Sequence, residues 1–284
     1  MRVDLHSHSS ASDGTQPPAD VVRRARERGL DVLALTDHDT VAGHAAAIEA
    51  LPAGLTLVPG MELSCRRGGQ SIHLLAYLFD PAEPELRAEC VRLREARGQR
   101  ARLTVERLVE LGVQVTWEQV AELAAGGPVG RPHIARAMVA AGAIDAPEQA
   151  FTPEWIGTGG RAHVTRYALD PERAVRLVRA AGGVPVLAHP KASARGAVVP
   201  DAWIAELAAA GLFGVEADHM DHDPAARAHV RDLAAGLGLA VTGSSDDHGD
   251  LTGHRLGCET TAPDVYERLL AEATAATPVT APSH

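Results

Sequence analysis

Seven short apolar runs, spread along the chain and mostly followed by histidine or acidic side chains, constrain this sequence more than any other feature. They fall at residues 2–5, 31–36, 55–59, 71–77, 184–188, 214–217 and 239–242. Most are Val, Ile and Leu without polar alternation, the pattern of parallel strands buried on both faces. Helix signals lie between them. Pro17-Pro18 opens a stretch that stops at Gly29, and Asp170-Pro171 opens another that Gly182-Gly183 ends. Strands and helices alternating in this way predict an α/β barrel rather than a sandwich.

One segment breaks the rhythm. Between residues 80 and 161 no strand is expected. A long helix over 84–111 places Leu86, Cys90, Leu93, Val105, Leu108 and Leu111 on its apolar positions. Thr116-Trp117-Glu118-Gln119 has capping-box spacing before a second helix. A loop spans Gly126-Gly127-Pro128-Val129-Gly130, and Pro132 opens a third helix that ends near Gly142. The expected organisation is a barrel of residues 1–80 and 161–272, interrupted after the fourth strand by an all-helical insertion over 81–160. Residues 273–284 read as a frayed tail.

Composition narrows what such a fold can do. With 45% hydrophobic but 3% aromatic residues, the core must be filled by Ala, Val and Leu. The formal net charge of -10 argues against a protein that coats long nucleic acid, and the scarcity of aromatics argues against base stacking along a strand. Cys65, Cys90 and Cys258 form no CxxC pair and read as reduced thiols, which predicts a cytoplasmic location. No apolar run is long enough to cross a bilayer.

Histidine is the outlier, with fourteen in the chain. His6 and His8 follow the first strand, with Asp13 shortly after; Asp37, His38 and Asp39 follow the second, and Glu62 follows the third. His73 lies in the fourth strand, His189 ends the fifth, and Glu216 lies in the sixth with Asp218 and His219 just after it. Ser244-Ser245-Asp246-Asp247-His248 closes the seventh. A parallel barrel gathers the C-terminal ends of its strands on one face. His-x-His and Asp-x-His on extended chain point both side chains the same way, toward one cation. Imidazole suits Zn, Fe and Mn, and a carboxylate can bridge two ions. Any one of these histidines alone would read as a structural or surface residue; their convergence points to a metal site.

These motifs, His6-Ser7-His8-Ser9 with Ser12-Asp13-Gly14-Thr15, Thr36-Asp37-His38-Asp39-Thr40, Gly60-Met61-Glu62, Ala188-His189-Pro190 and Asp246-Asp247-His248, resemble those of the PHP (polymerase and histidinol phosphatase) family. The resemblance implies a distorted (β/α)7 barrel and three divalent cations, Mn, Zn or Fe. One would be held by His6, His8, Glu62 and Asp246. Glu62 would bridge to a second, completed by His73 and His189. Asp13, His38 and His248 would hold a third. Many members carry histidine where Asp13 stands, which hardens that site toward Mn or Mg. Such a cluster implies a hydroxide bridging two cations that attacks phosphorus in line.

Order and spacing are most similar to the nucleotide phosphatases and 5′→3′ exonucleases of the RNase AM type within the family. That implies a phosphomonoesterase on AMP or 3′,5′-bisphosphate nucleotides, extending to the 5′ ends of short oligonucleotides. Histidinol phosphate or another small phosphate ester is the alternative, and a non-catalytic metal-binding barrel a third reading. Arg131, in Gly130-Arg131-Pro132-His133, is the expected phosphate clamp at a helix N-terminus, with His133 beside it. Arg97 and Arg100, within the run Arg92, Arg94, Arg97, Arg100, Arg102, read either as part of a solvated face or as receivers of a second phosphate. Asp218, His219 and His222 read either as substrate or outer-sphere groups or as salt-linked loop residues. His44, His163, His229, His254 and His284 are assigned to surface, loop or tail.

Overall fold

The strands form where apolar side chains can be buried on both faces. In the computed structural model, which describes all residues except 125, 126, 128, 194–196 and 282–284, β1 is Val3–Asp4, β2 Val32–Leu35, β3 Thr56–Arg67 and β4 Gln70–Tyr77. They are followed by β5 Val184–Leu187, β6 Gly214–Asp218 and β7 Ala240–Gly243, in the spatial order of the sequence. Val32 and Ala34 of β2 join an apolar cluster with Val3, Leu5, Val58, Leu75 and Val186, while Leu33 and Leu35 pack in another with Val21, Val22 and Leu57. Both faces of the strand are therefore dry, which is why it reads as a continuous apolar run. His284 and the Gly126 and Pro128 part of the expected loop lie outside the described residues.

The sheet is not all parallel. β1, β2 and β3 are parallel neighbours and so are β5, β6 and β7, but β4 runs antiparallel to both β3 and β5. Only Gly68-Gly69 joins β3 to β4, both with positive φ (56° and 83°). So short a link makes a hairpin and cannot make a crossover. The third strand also continues well past residue 59, to Arg67, so Glu62 lies within it rather than after it. Reversal of β4 sets its first half against the far half of β3, pairing Ser64 with His73. His73 thereby lies beside the far half of β3, although it precedes the middle of its own strand.

The barrel is nearly closed. Between β1 and β7 no ladder runs among the described residues; a parallel bridge of Ser7 with Asp247, the bond from His8 N–H to Asp247 O at 2.8 Å and the bond from Ser245 N–H to Asp4 Oδ1 at 3.0 Å join them instead. The tail is also more ordered than expected: β8, Val279–Thr280, pairs antiparallel with Thr56 and Leu57. β4 pairs with β3 only from Gly60 onward, and β8 covers the edge that would otherwise be bare.

The helices are α1 Pro18–Glu27, α2 His44–Glu49, α3 Pro84–Glu110, α4 Trp117–Leu123, α5 Arg131–Ala140, α6 Pro171–Ala180, α7 Asp201–Ala209, α8 Pro224–Leu237 and α9 Pro263–Glu272. Their ends follow local chemistry. Asp170 caps α6 by accepting from the backbone of Glu172 and Arg173 at 3.0 and 3.1 Å, and Thr116 and Gln119 form the capping box of α4.

The chain divides into two compact units, Met1–Cys90 with Leu169–His284, and Val91–Ala168. Both divisions fall later than residues 80 and 160, because α3 belongs to both units and its first turns pack with the barrel unit. The second unit has no strand among its described residues. Its core is Ala101, Val105, Leu108, Val120, Ile134, Met138 and Ile156, so it carries an apolar centre of its own.

Candidate metal centre

Three groups of ligand atoms converge in the barrel unit. His6, His8, Glu62 and Asp246 form one, His8, Asp13, His38 and His248 a second, and His38, Glu62 and His73 a third; within each group the atoms lie within 4.8 Å of one another. In the first, the distances of His6 Nε2 and His8 Nε2 to each other, to Glu62 Oε2 and to Asp246 Oδ1 run from 3.0 to 3.3 Å. A cation with ligands at roughly 2.0–2.2 Å holds neighbouring donors about 3 Å apart, so the spacing fits one. Buried His8 Nδ1 makes no hydrogen bond, as befits a donor waiting for something other than a proton partner.

Glu62 divides its two oxygens. Oε2 faces His6, His8 and His38 (3.1–3.3 Å), while Oε1 faces His73 at 2.8 Å and His189 at 3.3 Å. One carboxylate thus touches two ligand groups, the geometry of a bridge. Asp13 is held more loosely, with Oδ1 3.7 Å from His8 and 3.5 Å from His248 and Oδ2 3.7 Å from His38. Three memberships differ from the sequence-based expectation: His8 borders the Asp13 group as well as its own, His38 borders Glu62, and His189, though 3.3 Å from Glu62 Oε1, falls in none of the three groups.

Electrostatics follow from packing carboxylates and imidazoles together out of water. Burial opposes charge on His6, yet Asp246, Glu62 and Glu216 carry its affinity for a proton well above the usual imidazole range. Burial likewise opposes His8, and hydrogen bonds with Asp246 and Glu62 raise it to about 10. Against the same desolvation, His38, His73 and His6 hold Glu62 well below the usual carboxylate range, and His38 and His248 do the same for Asp13. Without cations, His6 and His8 are imidazolium groups set beside the carboxylate of Glu62.

Strained backbone surrounds it. Asp39, His189 and Asp246 have φ of 57°, 27° and 48°, a region that costs side-chain-bearing residues about 1–3 kcal/mol each. Hydrogen bonds hold these residues in place. Asp39 accepts from Ser64 N–H at 2.7 Å and Ser64 Oγ–H at 2.8 Å, and Asp37 accepts from Ser9 N–H at 2.8 Å and from the hydroxyls of Ser9 and Ser12, both at 2.6 Å. As a ligand pattern the motif points to His38 alone. The flanking aspartates are its anchors, and the serines at positions 9, 12 and 64 were the available signal.

The Asp218, His219, His222 cluster divides by role. Asp218 is paired with Arg231 and is salt-linked. His219 is fully buried; its Nδ1 accepts from Asp221 N–H at 3.0 Å, so Nε2 carries the hydrogen and donates to Asp246 Oδ2 at 3.3 Å. His222 donates from Nδ1 to Ala217 O at 2.9 Å and accepts at Nε2 from Lys191 N–H at 3.0 Å, so both ring nitrogens are taken by backbone. Arg255 was missed from sequence: it donates to Asp246 O at 3.2 Å.

Arg97, Arg100, Arg131 and His133 belong to the second unit. Arg97 is buried, whereas Arg92 and Arg102 are exposed and lie over Tyr167 and Trp117, 3.7 and 4.0 Å from the ring centroids. The run is therefore not one solvated face. Arg131 begins α5 and lies 5.5 Å from the Phe151 ring centroid, and His133 Nδ1 accepts from Gly130 N–H at 3.0 Å. Of the histidines assigned to surface, loop or tail, His44 Nε2 donates to Gly60 O at 2.9 Å, His229 pairs with Asp201 and His254 with Asp250.

Known proteins bear on this centre. The PHP domain profile matches residues 4–108. The chain is 37% identical to a 5′-3′ exoribonuclease of Haemophilus influenzae over 66% of this chain and 69% of that one. It is 34% identical to a phosphoribosyl 1,2-cyclic phosphate 1,2-diphosphodiesterase of Eggerthella lenta, over 88% and 95% of the two chains. It is also 34% identical to a 3′,5′-nucleoside bisphosphate phosphatase of Chromobacterium violaceum, over 78% of each. A solved structure from Bifidobacterium adolescentis, described as a candidate metal-dependent phosphoesterase, superposes with a TM-score of 0.88 at 32% identity, covering 96% of both chains. Fold, ligand groups and relatives agree: the chain belongs to the PHP family and is a metal-dependent phosphoesterase.

Proposed function

We propose that the protein hydrolyses phosphate monoesters of nucleotides, AMP or 3′,5′-bisphosphate nucleotides, and extends to the 5′ ends of short oligonucleotides. The observation that carries the phosphate chemistry is the division of Glu62 between two groups of imidazoles, which suits a multinuclear centre built for an oxyanion. His6, His8, Glu62 and Asp246 would hold one cation, Glu62, His73 and His189 a second, and Asp13, His38 and His248 a third. Bound cations, of Mn, Zn or Fe, would neutralise charge developing on phosphorus oxygens and supply a water acidic enough to act as nucleophile near neutral pH. His219 and Arg255 fix Asp246, while Asp37 and Asp39 fix the loop of His38.

Nucleotide specificity is supported by the names of two relatives, the bisphosphate phosphatase and the exoribonuclease. A second reading is favoured by the diesterase relative, which the chain spans almost whole: cleavage of a cyclic phosphate on ribose. Both substrates present a phosphorylated ribose. We assign phosphate recognition to Arg131, with His133 capping its helix and Arg97 and Arg100 as further cationic groups. Arg131→Ala is expected to raise KM for a bisphosphate nucleotide about 10-fold or more with a smaller change in kcat, as for loss of a charge-assisted hydrogen bond. An unchanged KM and kcat would remove Arg131 from the site.

The deciding experiment is a turnover screen in Mn, Zn, Fe and Mg. It covers AMP, a 3′,5′-bisphosphate nucleotide, a ribose cyclic phosphate, histidinol phosphate and a 5′-phosphorylated short oligonucleotide. Preference for histidinol phosphate would overturn the nucleotide reading, and preference for the cyclic ester would select the second one.

A further inference from the structure

Glu216 is fully buried in β6 and belongs to none of the three ligand groups. Its pairing with β7 shifts register between Glu216 and Asp218, an irregularity of the kind that re-aims side chains. Oε1 lies 3.2 Å from His6 Nδ1 and accepts from Ser244 Oγ–H at 2.6 Å. Oε2 accepts from His189 N–H at 2.9 Å. The two oxygens therefore hold residues that belong to different cation positions in the reading above.

We propose that Glu216 is a positioning residue, one buried carboxylate that fixes ligand atoms of two cation positions at once. The inference rests on the cation assignment of the preceding section. A carboxylate offers only acceptors, so His6 must present its Nδ1 hydrogen to Oε1. That leaves the Nε2 lone pair of His6 aimed at His8, Glu62 and Asp246, 3.0–3.3 Å away. The other oxygen secures His189 by its backbone, at a residue whose φ is 27° and which the peptide would otherwise leave. Partners of this kind set the tautomer and orientation of ligating histidines.

Glutamine at this place cannot do both tasks. If its amide nitrogen faces His6, the imidazole must turn its hydrogen to Nε2, directly into the ligand group. If its amide nitrogen faces His189 instead, two N–H donors oppose each other and the strained peptide loses its acceptor. Glu216→Gln is thus expected to weaken cation binding at one position or both by roughly 10- to 100-fold, read by metal analysis after titration against a chelator. Ser244→Ala, which keeps the carboxylate, is expected to retain the parent stoichiometry; a loss equal to that of Glu216→Gln would overturn the assignment. Folded Glu216→Gln protein that loads cations as the parent does would overturn this inference alone, whereas a parent that takes up no cation would overturn the cation assignment as well. Nitrogen-15 shifts of His6 in the loaded parent give a test that needs no variant: hydrogen on Nδ1 supports the proposal, and hydrogen on Nε2 refutes it.

Discussion

Replacing His8 by alanine is expected to lower kcat/KM for the preferred phosphate ester by at least about 10³-fold, above the usual loss for a single electrostatic contact. The size follows from its place. His8 Nε2 stands 3.1 Å from Glu62 and 3.2 Å from Asp246, and the same ring stacks on His248 with centroids 4.0 Å apart beside Asp13. Its loss therefore opens two ligand groups. Metal analysis should show a shortfall in more than one cation per chain, where His73→Ala should affect only the group around Glu62 Oε1. Substantial turnover by fully loaded His8→Ala would show that the centre is not the seat of the reaction. Asp246→Ala should be similarly severe, because Asp246 meets both His6 and His8.

Cation affinity should rise steeply with pH. In the cation-free cage His8 holds its proton up to about pH 10 and His6 also well above the usual range, so at neutral pH a metal must displace protons from both. One proton released per ion gives a tenfold gain in apparent affinity per pH unit and two give a hundredfold, so between pH 6 and 8 a slope of about 10- to 100-fold per unit is expected. Titrations in buffers of different ionisation enthalpy would count the protons. A flat profile would mean that the histidines are already neutral.

The stability of the cation-free protein should follow the same groups with opposite signs. His8, raised on folding, contributes stability that is fully present below about pH 6.5 and is lost as pH climbs through about 10. Glu62 and Asp13, lowered on folding, contribute stability that is present above their ordinary range near 4 and is lost as pH falls through their depressed values. Thermal midpoints of the cation-free protein should therefore crest between roughly pH 5 and 6.5. Loaded protein should not share the alkaline decline.

Much of this was legible in the residues themselves. Val32, Leu33, Ala34 and Leu35 announce a strand because both faces of β2 are buried. His-x-His at 6 and 8 announces a ligand pair because alternate side chains share a face. What could not be read locally depends on partners distant in sequence. Nothing in Gly60-Met61-Glu62-Leu63-Ser64 shows that the strand continues to Arg67; that follows from β4 folding back through Gly68-Gly69. His222 looked like a site residue because histidine beside aspartate is the pattern of a ligand, yet Ala217 and Lys191 spend both of its nitrogens on shaping the loop. Glu216 showed only that a carboxylate lies within a strand; its importance lies in the identity of the groups facing it.

The incomplete seam between β1 and β7 gives the centre a second meaning. His6 and His8 stand on one lip of that seam and Asp246 and His248 on the other, joined by the bridge of Ser7 to Asp247 and by the bonds of Ser245 to Asp4 and His6. An ion gripped from both lips is a rivet as well as a reagent. It ties the segment that follows β1 to the segment that follows β7, across a seam where no strand ladder runs among the described residues. Catalytic readiness and closure of the cylinder then become one event. A chain starved of metal would be idle and would hold that line by hydrogen bonds, those of Ser245 to Asp4 and His6 and of His8 to Asp247 among them.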